Sequence, residues 1–169
     1  MRRLAGVVVF TLALLAAGCS KAPAGAAGSA DTAKANGITG KPPLEVVAKA
    51  PKGSLHNPYD GNAKIAEEGH KLFFNYGCNG CHGGGGGGGM CPPLITGVWI
   101  YGGDDDTLFR LISLGSQKLQ AEGYTVKALV NVTGPMPSMG PLIKSDDDLW
   151  KIITWIRSAY TGPPEHKEK

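Results

Sequence analysis

The sequence predicts an all-α protein, a small domain with three or more helices around one site. Two segments repeat apolar residues at helical spacing, and a third runs from an acidic cap to a glycine. No stretch alternates convincingly between apolar and polar residues. The weak pattern in Tyr124-Thr125-Val126-Lys127-Ala128-Leu129-Val130 is the strongest of its kind. The only short motif of high specificity, Cys78-Asn79-Gly80-Cys81-His82, falls where the first helix ends.

The chain of 169 residues opens with Arg2-Arg3 and an apolar run from Val7 to Ala17, followed by small residues. That pattern is an export signal, too short for a comfortable membrane span, and is expected to cover residues 1–18. Leu15-Ala16-Ala17-Gly18-Cys19-Ser20 also resembles a bacterial lipoprotein cleavage box, with Ala16 where Leu is usual. The expectation is a lipidated Cys19 that anchors the chain to a membrane; acyl chains contribute about 0.8 kcal/mol per buried CH₂. Removing residues 1–18 lowers the formal charge from +3 to +1. No strong field then favours nucleic acid. Residues 19–57 are rich in Ala, Gly, Pro and Lys and read as a flexible tether, with Leu44-Glu45-Val46-Val47 as the one patch able to pack down.

The domain is expected over 58–162, with a charged tail at 163–169. Its first helix spans Asn62 to Tyr76: Ile65, Ala66, Gly69, Leu72, Phe73 and Tyr76 share one face, and Asp60 or Asn62 caps the start. The second spans Thr107 to Leu114, with Asp106 as cap and Gly115 as stop. The third spans Asp146 to Ala159. Its acidic triplet suits the positive end of the helix dipole, and Arg157 suits the other end. Apolar residues wrap almost all round it, so two faces should be buried.

Cys78 and Cys81 stand three positions apart, and His82 follows at once. C-x-x-C-H is the attachment signature for haem c. Two thiols at that spacing reach the two vinyl groups on one porphyrin edge and form thioethers, and the next residue points its imidazole at the iron. A zinc site would need two further ligands, for which only Cys91 and a distant His are available. A redox dithiol would need a βαβ setting. Gly83 to Gly89, seven glycines in a row, are read as a loop that hugs the porphyrin. Cys91 is left over; its simplest reading is a small buried apolar residue.

The second axial ligand decides what the iron can do. Met136, in Gly134-Pro135-Met136-Pro137-Ser138-Met139-Gly140, sits in a stiff loop ahead of the last helix, and Met139 is the near competitor. A thioether is a soft ligand that favours ferrous iron and raises the potential.

Residues 58–162 resemble the small monohaem class I cytochromes c. The resemblance is carried by the C-x-x-C-H motif, by Gly69-x-x-x-Phe73 and by Leu149-Trp150-Lys151-Ile152-Ile153-Thr154-Trp155-Ile156-Arg157-Ser158. It implies that Trp155 packs against Gly69, that the Pro92 carbonyl accepts a hydrogen bond from His82, and that Trp99 donates to a haem propionate. Met90-Cys91-Pro92-Pro93-Leu94, Trp99-Ile100-Tyr101-Gly102 and the closing Arg157 to Gly162 are similar to the cytochromes, of the c-L type, that accompany periplasmic quinoprotein alcohol dehydrogenases. Cys91 replaces the Gly usual before Pro92, and the run Ser116 to Thr133 is longer than usual.

The resemblance implies a periplasmic electron carrier with haem c, and not an enzyme. It would take electrons from a dehydrogenase that uses pyrroloquinoline quinone (PQQ) and pass them to another cytochrome or an oxidase. Two alternatives remain: an electron-donor subunit of a terminal oxidase or reductase, and a haem sensor or enzyme with an open iron.

Overall fold

The computed structural model describes residues 37–128 and 134–163; the export signal, Cys19 and residues 164–169 of the charged tail lie outside the described residues. Among the described residues six helices follow in order: α1 (Pro43–Lys49), α2 (Ala63–Asn75), α3 (Asn79–His82), α4 (Asp105–Leu114), α5 (Ser116–Ala121) and α6 (Asp146–Ala159). No strand occurs among the described residues.

The crossing of α2 and α6 is the framework. α2 starts at Asn62, whose side chain accepts from the Ile65 N–H at 3.2 Å. It buries Ala66, Gly69 and Phe73. α6 starts at Ser145, which accepts from the Asp148 N–H at 3.2 Å, and buries Leu149, Trp150, Ile152, Ile153, Trp155 and Ile156. Gly69 lies against the Lys151 carbonyl so closely that a Cβ there would collide with main chain. The backbone of Lys151 and Ile152 is therefore the nearest neighbour of Gly69. Trp155 packs one turn further on, with ring centroids 4.4 Å from both Phe73 and His70.

α4 closes a third side. Phe109 is fully buried and its ring lies 4.5 Å from that of Trp150. The expected cap at Asp106 is corrected: Asp104 caps α4, accepting from the Thr107 N–H at 2.9 Å. Asp106 is buried and accepts from Arg110 Nε at 2.9 Å and from the Tyr124 hydroxyl at 2.5 Å. Three adjacent aspartates offer the helix equivalent caps. The long-range partners decide which one is drawn inward.

The stretch 37–57 departs from the expected tether, because it packs on the domain. The Asp146 carboxylate accepts from the Thr39 N–H, the Thr39 hydroxyl and the Gly40 N–H at 2.7, 2.7 and 2.8 Å. Arg110 donates to the carbonyls of Ala50 and Pro51 at 2.8 and 2.9 Å, just after α1 ends. Asn57 donates to the Thr154 hydroxyl at 3.0 Å inside the core. A chain poor in apolar residues is held by buried charges that recruit its main chain.

Two outcomes test this framework. Gly69→Ala should lower the unfolding free energy of the haem-loaded protein by at least about 3 kcal/mol in a denaturant titration, because the clash is with backbone that cannot rotate aside. The second concerns acid. Burial alone would raise the Asp106 carboxyl, but hydrogen bonds from Tyr124, the Gly53 N–H and Arg110, with the Arg110 charge, outweigh it and hold it below its ordinary value. A depressed carboxyl stabilises the fold above the ordinary aspartate range, about pH 4, and that gain is lost as pH falls through the lower folded value. Urea titrations from pH 7 to pH 3 should show Asp106→Asn less stable at neutral pH and losing less on acidification than the parent.

Candidate haem site

A cavity of about 570 Å³ opens between α2, α4, α6 and the loops after α3 and α5. Phe73, Leu108, Ile112, Ile152 and Ile156 form its helical walls, and Pro93, Leu94, Trp99 and Tyr101 its loop wall. No Asp, Glu, Lys or Arg lines it among the described residues. Cys78, His82 and Met136 all do. Met139 does not; it packs against the core, and its N–H donates to the Ile112 carbonyl at 2.9 Å.

His82 ends the single turn of α3. Its Nδ1 lies 2.9 Å from the Pro92 carbonyl oxygen. A carbonyl can only accept, so Nδ1 carries the proton and Nε2 keeps its lone pair for a metal. The chain must return within ten residues to make that contact, and the glycine run makes the return. Gly83 has φ +75°, and a Cβ there would meet the Gly88 carbonyl oxygen at 2.7 Å. The Gly88 N–H donates to the His82 carbonyl at 2.9 Å, and the Leu94 N–H to the Gly86 carbonyl at 2.7 Å. The run does not hug the cavity. None of Gly83 to Gly89 lines it, and Gly84 and Gly86 lie beside Phe74, Ile95 and Trp155. The glycines let main chain fold tightly on main chain and on aromatic rings.

The three thiols divide unexpectedly. Burial pushes the Cys78 thiol up to about 11. Cys81 is not on the cavity wall; its thiol is hydrogen-bonded with that of Cys91, which is on the wall. The Cys91 N–H also donates to the Cys81 carbonyl at 3.1 Å. Cys91 is only partly buried, so its expected role as a small core residue is corrected. Its thiol is raised by burial and then by Cys81. Trp99 lines the cavity, but its indole N–H donates to the Leu94 carbonyl at 2.8 Å and not outward, as the resemblance implied.

On the other wall, Met136 hangs from the junction of α4 and α5. Its N–H donates to the Ser116 hydroxyl at 3.1 Å, and its carbonyl accepts from the Ser116 N–H at 3.0 Å. Ser138 donates to the Ser113 carbonyl at 2.6 Å. Sequence reading missed these serines; Ser116 alone carried a signal, its position straight after the helix-ending Gly115. Behind the loop wall, Arg157 is 2 % exposed, pairs with Asp105 at 2.8 Å and donates to the Gly103 carbonyl.

Haem c is an apolar disc whose iron takes nitrogen and sulfur ligands. Apolar walls, an imidazole with a free lone pair, a thioether and thiols in one cavity fit it. The sequence profile of the cytochrome c family matches residues 66–159, more than half of the chain, and the chain belongs to that family. The prosthetic group of that family is haem c. Over 66 residues it is 38% identical to a cbb3-type cytochrome c oxidase subunit, CcoP, of Azospirillum brasilense. That match takes in 35% of this chain and 22% of CcoP, so the chain spans about a fifth of that relative. Among solved structures it is similar to cytochrome cL from Hyphomicrobium denitrificans, with 26% identity, a TM-score of 0.48, and 63% of this chain and 54% of that one covered. It is also similar to cytochrome cL from Methylophaga aminisulfidivorans, with 23% identity, a TM-score of 0.49, and 64% of each chain covered.

Covalent attachment has a direct check. Haem should stay with the denatured protein through acid–acetone extraction. It should pass into the organic phase from any Cys78→Ala, Cys81→Ala double variant that retains it.

Proposed function

We propose that the protein is a periplasmic one-electron carrier whose haem c is held by thioethers to Cys78 and Cys81, with His82 and Met136 as the axial ligands. The observation that supports this best is that His82 and Met136 line one apolar cavity while Met139 does not reach it. Haem supplies the reversible one-electron chemistry; the chain supplies its setting. Pro92 fixes the imidazole of His82 through Nδ1, which would leave Nε2 to hold the iron. The loop that carries Met136 would supply the thioether as the second ligand. Were His82 and Met136 both to hold the iron, no place on it would be left for a substrate, and no side chain would be needed as acid, base or nucleophile. The apolar walls exclude water, which favours the lower-charged ferrous state. Attachment at Cys81 requires its thiol to turn from Cys91 toward the cavity.

The electron source in this reading is a quinoprotein (PQQ) alcohol dehydrogenase, and the acceptor is another cytochrome or an oxidase. The motifs Met90 to Leu94, Trp99 to Gly102 and Arg157 to Gly162 support it. In the structure the last two meet at one wall: the Trp99 and Tyr160 rings lie 4.9 Å apart, and the Thr161 N–H donates to the Ile95 carbonyl at 2.7 Å. The export signal and a lipidated Cys19 would hold the protein at the periplasmic face of a membrane. No helix among the described residues is long and apolar enough to cross one. The match to an oxidase subunit supports a second reading, an electron-donor subunit of a terminal oxidase.

Stopped-flow mixing separates the two. Rapid reduction of the ferric protein by a PQQ alcohol dehydrogenase and its alcohol supports the first reading. No reduction, with fast oxidation of the ferrous protein by a cbb3-type oxidase, supports the second. In either case Met136→Ala should abolish the weak far-red charge-transfer band of methionine-ligated ferric haem, lower the potential and admit carbon monoxide to the ferrous iron. Met139→Ala should leave all three close to the parent.

A further inference from the structure

The loop that carries Met136 is fixed at one residue more firmly than its prolines alone would explain. Ser116 brackets the main chain of Met136 from both sides of its Cα. Its hydroxyl oxygen accepts the Met136 N–H at 3.1 Å, and its own N–H donates to the Met136 carbonyl at 3.0 Å. Pinning both the N–H and the C=O of one residue fixes its Cα and the direction in which its side chain leaves. Ser116 lines the same cavity as Met136 and is itself buried. It can stand so close because Gly115 precedes it. Gly115 has φ +77°, and a Cβ there would meet the Met136 carbonyl oxygen and the Ser138 N at 2.7 Å. Pro135 and Pro137 stiffen the loop, but proline limits φ and does not aim the residue between. The aim comes from Ser116.

We propose that Ser116 is the positioning residue for the methionine ligand: its hydroxyl fixes the Met136 backbone so that the thioether enters the cavity opposite His82. This rests on the reading of Met136 as the axial ligand. A thioether would be the weaker of the two protein ligands to the iron, so its persistence there would depend on how little the loop can move. Deleting the hydroxyl leaves the Met136 N–H without its acceptor and frees one end of the bracket. An outside ligand should then displace the thioether more readily, by about tenfold for one lost hydrogen bond.

The probe is imidazole, titrated into the ferric haem-loaded protein while the far-red band is followed. Ser116→Ala should bind imidazole about tenfold more tightly than the parent. Ser116→Thr, which keeps the hydroxyl, should return to within about twofold of the parent. Ser113→Ala is the structural control. It deletes a buried hydroxyl that donates to the Phe109 carbonyl at 2.6 Å, one turn away from the bracket. It should soften α4 and leave imidazole affinity near the parent value. Should Ser116→Ala fail to fold, Ser116→Gly deletes the same oxygen and takes its place.

Parent-like affinity in Ser116→Ala, or an equal gain in Ser113→Ala, would overturn the proposal while leaving the ligand assignment intact. The assignment itself is read from Met136→Ala: loss of the band there retains it. A band unchanged by Met136→Ala removes the ligand reading and the proposal with it.

Discussion

Everything at the site is placed by the contact between Gly69 and the Lys151 carbonyl. Because α2 and α6 touch main chain to main chain there, Phe73 and Cys78 on one side and Ile152 and Ile156 on the other face a common space. One methyl group at Gly69 would push the helices apart and widen that space. The constraint is steric, and it cannot be relieved by a change of rotamer. The apolar burial along α6 then makes the close crossing stable, with Leu149 and Ile153 fully out of solvent.

Two walls hang on that framework, each ending in a soft or borderline donor. One is the glycine-rich return that brings Pro92 back to His82 and sets the tautomer of the ring. The other is the loop at Gly115 and Ser116 that holds Met136. Both depend on backbone folding against backbone, not on charge. Charged groups work elsewhere, on the outer side of α4 and at the start of α6. There Arg110 and Asp146 clamp residues 37–57 to the domain. A cavity with no charged lining residue among the described residues, and buried ions kept away from it, would suit the proposed carrier, which must change the charge of one iron without rearranging.

The helices with long apolar faces, α2 and α6, could be read from periodicity, and the C-x-x-C-H motif from the spacing of its residues. The arm was hard to read because its contacts are polar and long-range: nothing in Thr39 or Gly40 announces a carboxylate more than a hundred residues away. The cap of α4 was misplaced for a related reason. Asp104, Asp105 and Asp106 are equivalent locally, and only Arg110 and Tyr124 distinguish them; the i, i+4 spacing of Asp106 and Arg110 was the available hint. The glycine run followed a cofactor ligand, so close approach to the cofactor was the natural expectation. The close approach is real, but it is to the loop's own carbonyls and to Trp155. The pairing of Cys91 with Cys81 depends on that same return and has no local signature.

The central claim is that one cavity delivers both His82 and Met136 to a single iron. The chain has four methionines, so selective labelling of their methyl carbons and a proton–carbon NMR spectrum of the ferrous protein address it directly. The account predicts one methionine methyl shifted far upfield by the haem ring current, and it should disappear in Met136→Ala. An unshifted set, or an upfield methyl that survives Met136→Ala and vanishes in Met139→Ala, would contradict it.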